Sequence, residues 1–310
     1  MKRIPIWIDC DPGTDDAAAL LTAHRLPELE IVGVSAVAGN VCLEKTLRNA
    51  LALREFMGAD FPVYAGAAQP LMRPAQDASE YHGPEGLGPV TLPQPVKAAE
   101  PEPMWDALYA AACRYAGELE VVTLAPLTSL ATAFAKYPDL PGKLRRVSMM
   151  GGAAVGGNCT ASAEFNIYAD PEAAQLIFRS GVKVVLCGLD VTLKAYLTEQ
   201  ELETIAAAGD PAGVFLRDVS RDILRLNVAA GSGGWCLHDA VPLWHLVAPE
   251  LFTVREAGVF VETQSTLTLG KTVTDLYSDF KFPQKNARVV LDLDRTEFAR
   301  RMTRLFGVGA

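Results

Sequence analysis

Near its start the chain reads Ile4-Pro5-Ile6-Trp7-Ile8-Asp9-Cys10-Asp11-Pro12-Gly13-Thr14-Asp15-Asp16-Ala17, an apolar run that leads directly into four aspartates. The apolar part is short, rich in β-forming residues and ended by a turn, which predicts a buried strand. Pro12-Gly13 supplies the turn, and we expect Thr14 to be the N-cap of a helix that follows. The stretch therefore predicts a strand, an acidic turn and a helix in that order.

The four aspartates are predicted to lie at the carboxyl end of this strand, the edge at which open α/β sheets bind ligands. Four like charges repel one another unless a cation or a hydrogen-bond donor lies among them. Oxygen ligands alone favour Ca²⁺ or Mg²⁺ over zinc. The alternative is that Asp9 faces the backbone of the next loop, and that Asp15 and Asp16 only stabilise the N-terminus of the helix.

Composition narrows the class of protein. The chain has 310 residues, half of them apolar, and can bury a large core. No repeat or linker divides it, so we expect one domain over residues 1–310. The net charge of -9 argues against a nucleic-acid partner but allows a small nucleoside.

No apolar run reaches the roughly 18 residues of a membrane helix, and the six cysteines form no C-x-x-C pair. We therefore expect a cytoplasmic protein with reduced thiols and no membrane partner.

Strands and helices alternate along the rest of the chain. Predicted strands at Glu30–Val37 and Pro62–Ala65 flank a helical pattern, which is typical of βαβ units. The fold class that we expect is α/β, a Rossmann-like open and mostly parallel sheet flanked by helices. Residues 67–103 interrupt the alternation and hold eight of the 20 prolines. We interpret this segment as a mobile lid with Tyr81 and His82 at its tip, although His82 could be a solvated loop histidine.

Further polar residues follow later strands or begin later helices. Asn40 comes at the end of the second predicted strand, Glu164 and Asn166 lie on one side of an alternating stretch, and His238-Asp239 lies in a helix that we expect to start at Trp235. Parallel strands end at one edge of the sheet, so these side chains are expected to lie near the four aspartates.

Taken together, these motifs resemble those of the inosine-uridine preferring nucleoside hydrolases, enzymes that cut the N-glycosidic bond of ribonucleosides with a bound Ca²⁺. The first motif, residues 9–17, is specific. The resemblance spans nearly the whole chain and continues, in order, through Ala38-Gly39-Asn40, His82-Gly83, Leu127–Ala131, Met149–Gly152, Glu164-Phe165-Asn166 and His238-Asp239-Ala240.

The resemblance implies roles for individual residues. Ca²⁺ would be bound by Asp11, Asp16, Asp239 and the backbone carbonyl of Leu124, a donor set that suits a hard cation. Ribose would be bound by Asp15, Asn40, Met150, Asn158, Glu164 and Asn166. The relatives commonly form homodimers or homotetramers, so we expect an oligomer.

The expected mechanism is attack of a Ca²⁺-bound water on the anomeric carbon while the sugar becomes oxocarbenium-like. Asp11 is expected to act as the general base. His238 is expected to protonate the leaving base, with His82 as a helper, because a histidine that titrates near neutrality suits this task. The competing interpretation of His238 is a packing or capping histidine.

Recognition of the base is open at this point. The segment that would meet it is Arg221–Asn227, which carries no Tyr or Gln, and purine, pyrimidine and modified nucleosides all remain possible. Trp235 could stack on a base or pack in the core. Two other functions compete: a Mg²⁺ phosphatase of the haloacid dehalogenase type, which Asp9-Cys10-Asp11 also resembles, and a non-catalytic nucleoside or sugar-binding protein.

Overall fold

The computed structural model describes residues 2–277 and 284–307. The strands are β1 (Ile4–Cys10), β2 (Leu29–Ala36), β3 (Val63–Ala65), β4 (Glu120–Thr123), β5 (Arg146–Met150), β6 (Val184–Cys187), β7 (Tyr196–Leu197), β8 (Trp235–Cys236), β9 (Phe252–Val261), β10 (Thr272–Asp275) and β11 (Ala287–Leu293). The helices are α1 (Thr14–Arg25), α2 (Leu43–Phe56), α3 (Ser79–His82), α4 (Met104–Tyr115), α5 (Thr128–Lys136), α6 (Leu140–Lys143), α7 (Phe165–Ala169), α8 (Pro171–Arg179), α9 (Leu189–Thr192), α10 (Glu199–Ala206), α11 (Pro211–Ala229), α12 (Ala240–Val247) and α13 (Arg295–Phe306).

The main sheet has nine strands in the order β10-β9-β11-β6-β5-β4-β1-β2-β3. The seven neighbouring strands β11-β6-β5-β4-β1-β2-β3 pair in parallel. Strand β9 pairs antiparallel with both β11 and β10. The first six strands thus have the order 3-2-1-4-5-6 of a doubly wound fold. In this fold the order in which strands are added to the sheet reverses between β1 and β4, which are themselves parallel. The predicted α/β class with a mostly parallel sheet is confirmed.

Both faces of the sheet are covered by apolar side chains. Ile6, Ile8 and Cys10 of β1 pack into one cluster, and Trp7 packs into the other cluster on the opposite face. A parallel strand buried on two sides needs a continuous apolar run, and the run at the start of the chain supplies it. The buried core therefore fixes where β1 ends and where its aspartates emerge.

Local structure differs from the sequence-based prediction at three positions. Gly13, with an extended backbone, is the N-cap of α1, and Thr14 is its first residue, because the Gly13 amide donates to Asp16. Glu164 caps α7 with its own carboxylate instead of lying in a strand. Trp235 lies in β8, paired with β7, and the helix begins only at Ala240.

The segment 67–103 is irregular except for α3, as predicted, and it contacts the body of the protein at defined points. Asn49 Nδ2 donates to the carbonyls of Pro12, 3.1 Å away, and Glu85, 2.7 Å away. At the other end of the segment, the Leu71 amide donates to the buried carboxylate of Asp170. Mobility of this segment stays a prediction.

Helix length and hydropathy also bear on membrane insertion. Among residues 2–277 and 284–307, no helix is both long enough and apolar enough to cross a bilayer.

Candidate active site

The acidic turn after β1 is shaped by its own hydrogen bonds. The amides of Asp11 and Gly13 donate to the carboxylate of Asp16 over 3.1 and 2.9 Å, so the first turn of α1 folds back on the end of β1. Asp15 and Asp16 both lie in this first turn, as predicted. The helix dipole stabilises negative charge at this end of a helix, which favours the ionised forms of both side chains.

Asn40, which follows β2, holds Asp11 and Asp16 together. Its backbone amide donates to Oδ2 of Asp11 over 2.6 Å, and its side-chain amide donates to the Asp11 carbonyl and to Oδ2 of Asp16, each over 3.1 Å. This approach requires glycine at position 39, because a Cβ there would lie 2.0 Å from Oδ2 of Asp11. The sequence Ala38-Gly39-Asn40 thus positions the aspartates.

Three buried carboxylates meet beside this turn. Each of Asp15, Asp16 and Asp239 offers an oxygen, and these oxygens lie within 4.8 Å of one another. Asp239 comes from the loop before α12, far away in sequence. We predicted Asp11, Asp16 and Asp239 as metal ligands and Asp15 as a ribose contact. The three carboxylates that the structure gathers are those of Asp15, Asp16 and Asp239.

Burial and mutual repulsion shift the pKa of every carboxyl group here. Burial, followed by the charge of Asp16, raises the pKa of Asp15 to about 8. Burial raises the pKa of Asp16 to about 6, although hydrogen bonds from Gly13 and Asp11 lower it. Burial and the neighbouring aspartate charges hold the pKa values of Asp11 and Asp239 well above the usual range. The cluster is unfavourable in its fully ionised form unless a cation compensates it.

Two further observations fit a divalent cation. Within the part of the chain that the structure describes, the buried Oδ1 of Asp11 has no hydrogen-bond partner, although buried carboxylate oxygens are normally paired. The carbonyl of Leu124, at the end of β4, accepts a hydrogen bond from Asn166 over 2.9 Å, which places Leu124 beside the predicted ribose ligands. A set made of carboxylate and carbonyl oxygens matches the ligand preference of Ca²⁺ or Mg²⁺.

Glu164 and Asn166 lie at the carboxyl ends of β4 and β5. Glu164 accepts hydrogen bonds from the amides of Gly152 and Asn166, over 2.8 and 3.0 Å, and burial raises its pKa despite them. Asn166 Nδ2 also donates to the carbonyl of Met150 over 3.2 Å. Asn158 is exposed, and its side-chain oxygen accepts from the Phe165 amide over 3.0 Å. These predicted ribose residues are therefore brought together around one edge of the sheet.

The two predicted catalytic histidines are neighbours in the structure. His82 Nδ1 lies 3.2 Å from the backbone nitrogen and from the hydroxyl of Thr14, and 3.9 Å from Oδ1 of Asp15. His238 Nδ1 lies 2.8 Å from the hydroxyl of Thr192. Burial lowers the pKa of His238 to about 4, and burial together with the charge of His238 lowers that of His82 to about 4. Burial therefore disfavours the imidazolium form of both histidines, and the proton-donor role of His238 stays a prediction.

Asp9 lies under the cluster and not in it. Ser35 Oγ donates to Oδ1 of Asp9 over 2.5 Å, and Trp7 Nε1 donates to Ser35 over 2.9 Å. Burial raises the pKa of Asp9 to about 7. The sequence did not single out Ser35 or Thr192, and it indicated Thr14 only as an N-cap and not as a partner of His82. Their contacts depend on how strands and loops pack, and isolated Ser and Thr residues carry no local signal.

The predicted base-binding residues are only partly available. Trp235 is fully buried in the core, so the prediction that it stacks on a base is wrong for this structure, and the alternative of core packing holds. A tryptophan paired in β8 between core elements is shielded from any ligand. In the segment Arg221–Asn227, Arg221 pairs with Asp218 over 3.3 Å, and Asn227 accepts from the Cys236 amide over 3.0 Å.

Comparison with known sequences places the chain beside one group of enzymes. Residues 6–300 match the family described as "Inosine-uridine preferring nucleoside hydrolase". The chain is 41% identical over 298 residues to the non-specific ribonucleoside hydrolase RihC of Klebsiella pneumoniae (strain 342), covering 96% of each sequence. It is 40% identical over 294 residues to RihC of Escherichia coli (strain SMS-3-5 / SECEC), covering 94% of each.

Solved structures give the same picture of the fold. A plant nucleoside hydrolase, the PpNRh1 enzyme, superposes with a TM-score of 0.92 at 29% identity, over 98% of this chain and 99% of that one. A purine-preferring ribonucleoside hydrolase from Gardnerella vaginalis superposes with a TM-score of 0.90 at 31% identity, over 98% of this chain and 100% of that one.

Proposed function

This chain belongs to the inosine-uridine preferring nucleoside hydrolase family, and we propose that it hydrolyses the N-glycosidic bond of ribonucleosides at the acidic cluster, with a bound Ca²⁺. One observation carries the proposal. Buried carboxylates of Asp15, Asp16 and Asp239 meet at the carboxyl end of β1, beside the unpartnered Oδ1 of Asp11. Such a set of oxygens is costly for a protein to bury unless it binds a cation.

We propose that Asp11, Asp16, Asp239 and the Leu124 carbonyl hold the Ca²⁺. Asp15 lies in the same cluster as Asp16 and Asp239, and we propose that it binds either the ion or the sugar hydroxyls. Ca²⁺, when bound, supplies a hard positive charge that orders oxygen ligands such as water and a sugar diol. Asn40, Met150, Asn158, Glu164 and Asn166 complete the proposed ribose contacts.

Asp11 is the proposed general base. Asn40 fixes Oδ2 of Asp11. We propose that Oδ1, which has no hydrogen-bond partner among the described residues, both faces the cation and accepts a proton from the attacking water. As the glycosidic bond breaks, positive charge develops on the ribose ring. The surrounding carboxylates stabilise this charge without having to reorganise, because hydrogen bonds already hold them in place.

His238 is the proposed proton donor to the leaving base. Its Nδ1 contacts the hydroxyl of Thr192, a group that can both donate and accept. The Thr192 hydroxyl can therefore donate to Nδ1 of a neutral His238 and accept from Nδ1 when the ring carries a second proton. Because burial disfavours the imidazolium form in the free protein, we expect His238 to gain its proton only in the substrate complex.

We propose broad base specificity. Helix α11 packs against α1 and α3. In its second half, Arg221 pairs with Asp218, and Asn227 accepts a hydrogen bond from the Cys236 amide, so these two polar groups are engaged within the protein. The RihC relatives are named as non-specific, in agreement with this proposal.

The competing functions lose support. A phosphatase of the haloacid dehalogenase type needs its first aspartate, here Asp9, as an accessible nucleophile, and Asp9 is buried and hydrogen-bonded to Ser35. It would also leave Asp239 and Glu164 without a role. A non-catalytic binder is disfavoured, since the chain matches hydrolases over nearly its whole length.

A reducing-sugar assay on inosine, uridine, cytidine and adenosine tests the proposal. We expect ribose release from all four, loss of activity after exhaustive chelation and recovery when Ca²⁺ is added. Turnover that persists without any divalent cation would contradict the metal-dependent mechanism. Release from purine nucleosides alone would contradict broad specificity.

Assembly and compartment are further proposals. We expect a homodimer or homotetramer in the cytoplasm, as the family resemblance and the composition imply. Light scattering on the purified chain measures the first, and fractionation of cells measures the second.

A further inference from the structure

His82 and His238 are held in different ways, and the difference lies in what faces each Nδ1. His238 faces a hydroxyl, which adapts to either protonation state. His82 faces the backbone N–H of Thr14, which lies 3.2 Å away and can only donate. The Thr14 hydroxyl, also at 3.2 Å, can donate to Nδ1 or accept from it, so the amide is the one of the two Thr14 groups that can only donate.

A hydrogen on Nδ1 of His82 would point directly at the amide hydrogen of Thr14. The two hydrogens would repel, and the Thr14 amide would lose its acceptor. Thr14 is the first residue of α1, so its N–H has no acceptor within the helix and depends on an outside partner. The positive end of the α1 dipole also disfavours an imidazolium ring at this position.

Among residues 2–277 and 284–307, the hydrogen-bond partners of His82 Nδ1 are the two groups of Thr14. Oδ1 of Asp15 lies 3.9 Å away, beyond hydrogen-bond distance. The ring of His238 is near enough for its charge to disfavour protonation of His82. Gly13 leaves room for the contact, because a Cβ there would lie 2.6 Å from both His82 Nδ1 and the side-chain nitrogen of Asn40.

We propose that the Thr14 backbone amide locks His82 in the neutral tautomer with its hydrogen on Nε2, so that His82 offers the substrate a fixed hydrogen-bond donor and does not transfer a proton. Thr14 is then a positioning residue, and the two histidines divide the work: His238 transfers the proton and His82 orients the substrate. That division rests on the proposed function, whereas the tautomer does not.

Neutron diffraction from deuterium-exchanged crystals of the Ca²⁺-loaded enzyme tests the tautomer directly. We expect deuterium on Nε2 of His82 and none on Nδ1. Deuterium on Nδ1, alone or together with Nε2, would overturn the proposal. In T14A, which keeps the amide but loses the hydroxyl, the deuterium should stay on Nε2, and a shift to Nδ1 would show that the amide does not set the tautomer. This arm holds even if the protein hydrolyses no nucleoside.

Two substitutions test the role of the donor. In H82Q, the side-chain amide nitrogen can reach the position of Nε2 and so keep the donor. In H82N, the shorter side chain reaches only the position of Nδ1, and the donor is lost. We expect H82N to lose on the order of 10- to 100-fold in kcat/KM and H82Q to lose under about tenfold, as for loss or retention of one strong hydrogen bond. The pH profile of H82Q should keep its wild-type shape. Equal losses in both variants, or loss of an ionisation from the H82Q profile, would overturn the donor role.

Discussion

The backbone amide of Asn40 donates to Oδ2 of Asp11 over 2.6 Å, and only a glycine at position 39 permits this contact. The loop after β2 therefore sets the orientation of a side chain that follows β1. The proposed base is held by the loop of the neighbouring strand.

Gly39→Ala should displace the carboxylate of Asp11. The added Cβ would lie 2.0 Å from Oδ2, so the side chain has to move, at a cost of about 1 to 3 kcal/mol in folding free energy. We expect kcat/KM to fall by about tenfold or more. Gly142→Ala is the matched control, because a Cβ at Gly142 meets nothing within 4 Å. Equal activity in the two variants would contradict the positioning role of Gly39.

Asp11→Asn should keep the shape of the side chain and remove its basicity. We expect kcat to fall by about 100-fold to 10,000-fold, the range for loss of a general base. Asp11→Ala should abolish hydrolysis while the fold is largely preserved. Circular dichroism and ribose release measure the two effects. A near-normal rate in a folded Asp11 variant would exclude Asp11 as the base.

Removal of the metal should make stability fall as pH rises between about 6.5 and 8. The histidines are neutral in both states above their ordinary pKa of about 6.5, so they contribute little there. Asp15, with a pKa of about 8 when folded against 3.8 ordinarily, still binds a proton in the folded state alone. The free energy of unfolding therefore falls as pH rises towards about 8, by up to about 1.4 kcal/mol per pH unit for this one proton.

Thermal unfolding of the chelated protein across this pH window measures the effect. Asp15→Asn should reduce the pH dependence without removing it, since Asp9, Asp11 and Asp239 also have raised pKa values. Saturating Ca²⁺ should weaken it further, because the cation replaces the protons of the cluster. A chelated protein that becomes more stable from pH 6.5 to 8 would show that the cluster does not retain protons.

His238→Ala should affect substrates according to their leaving group. A natural nucleoside needs a proton on the departing base, so we expect a loss of about 100-fold or more in kcat. A nitrophenyl riboside releases a stable anion and should lose much less. Steady-state kinetics on both substrates decide the matter, since equal losses would remove His238 from the acid role.

Lys271→Met should loosen the loop that carries Asn158. Lys271 Nζ donates to the carbonyls of Ala153 and Ala154, each over 3.0 Å, and methionine keeps the apolar length without these bonds. We expect KM for nucleosides to rise by on the order of tenfold, as for loss of hydrogen bonds to a charged group. Lys183→Met, on the loop before β6, is the control. An unchanged KM in Lys271→Met would show that the loop keeps its position without the lysine.

Much of the site was predictable because its residues lie in local patterns. The apolar run followed by Asp-x-Asp-Pro-Gly predicted the strand, the turn and the helix, and the motifs placed Asn40, Glu164 and Asp239 at one edge. Trp235 was ambiguous, since a strand of two residues gives no periodicity and only packing shows that the ring is buried. The contact of Thr14 with His82 joins the first residue of α1 to the last residue of α3, far apart in sequence, and has no local signature.

The arrangement of the carboxylates has a consequence for synthesis on the ribosome. Asp15 and Asp16 emerge early, whereas Asp239 is added only when most of the polypeptide has been made. A nascent chain or a translation product that ends before Asp239 therefore lacks one of the three clustered carboxylates. We expect such incomplete copies to be inactive, because they lack a ligand of the proposed metal site.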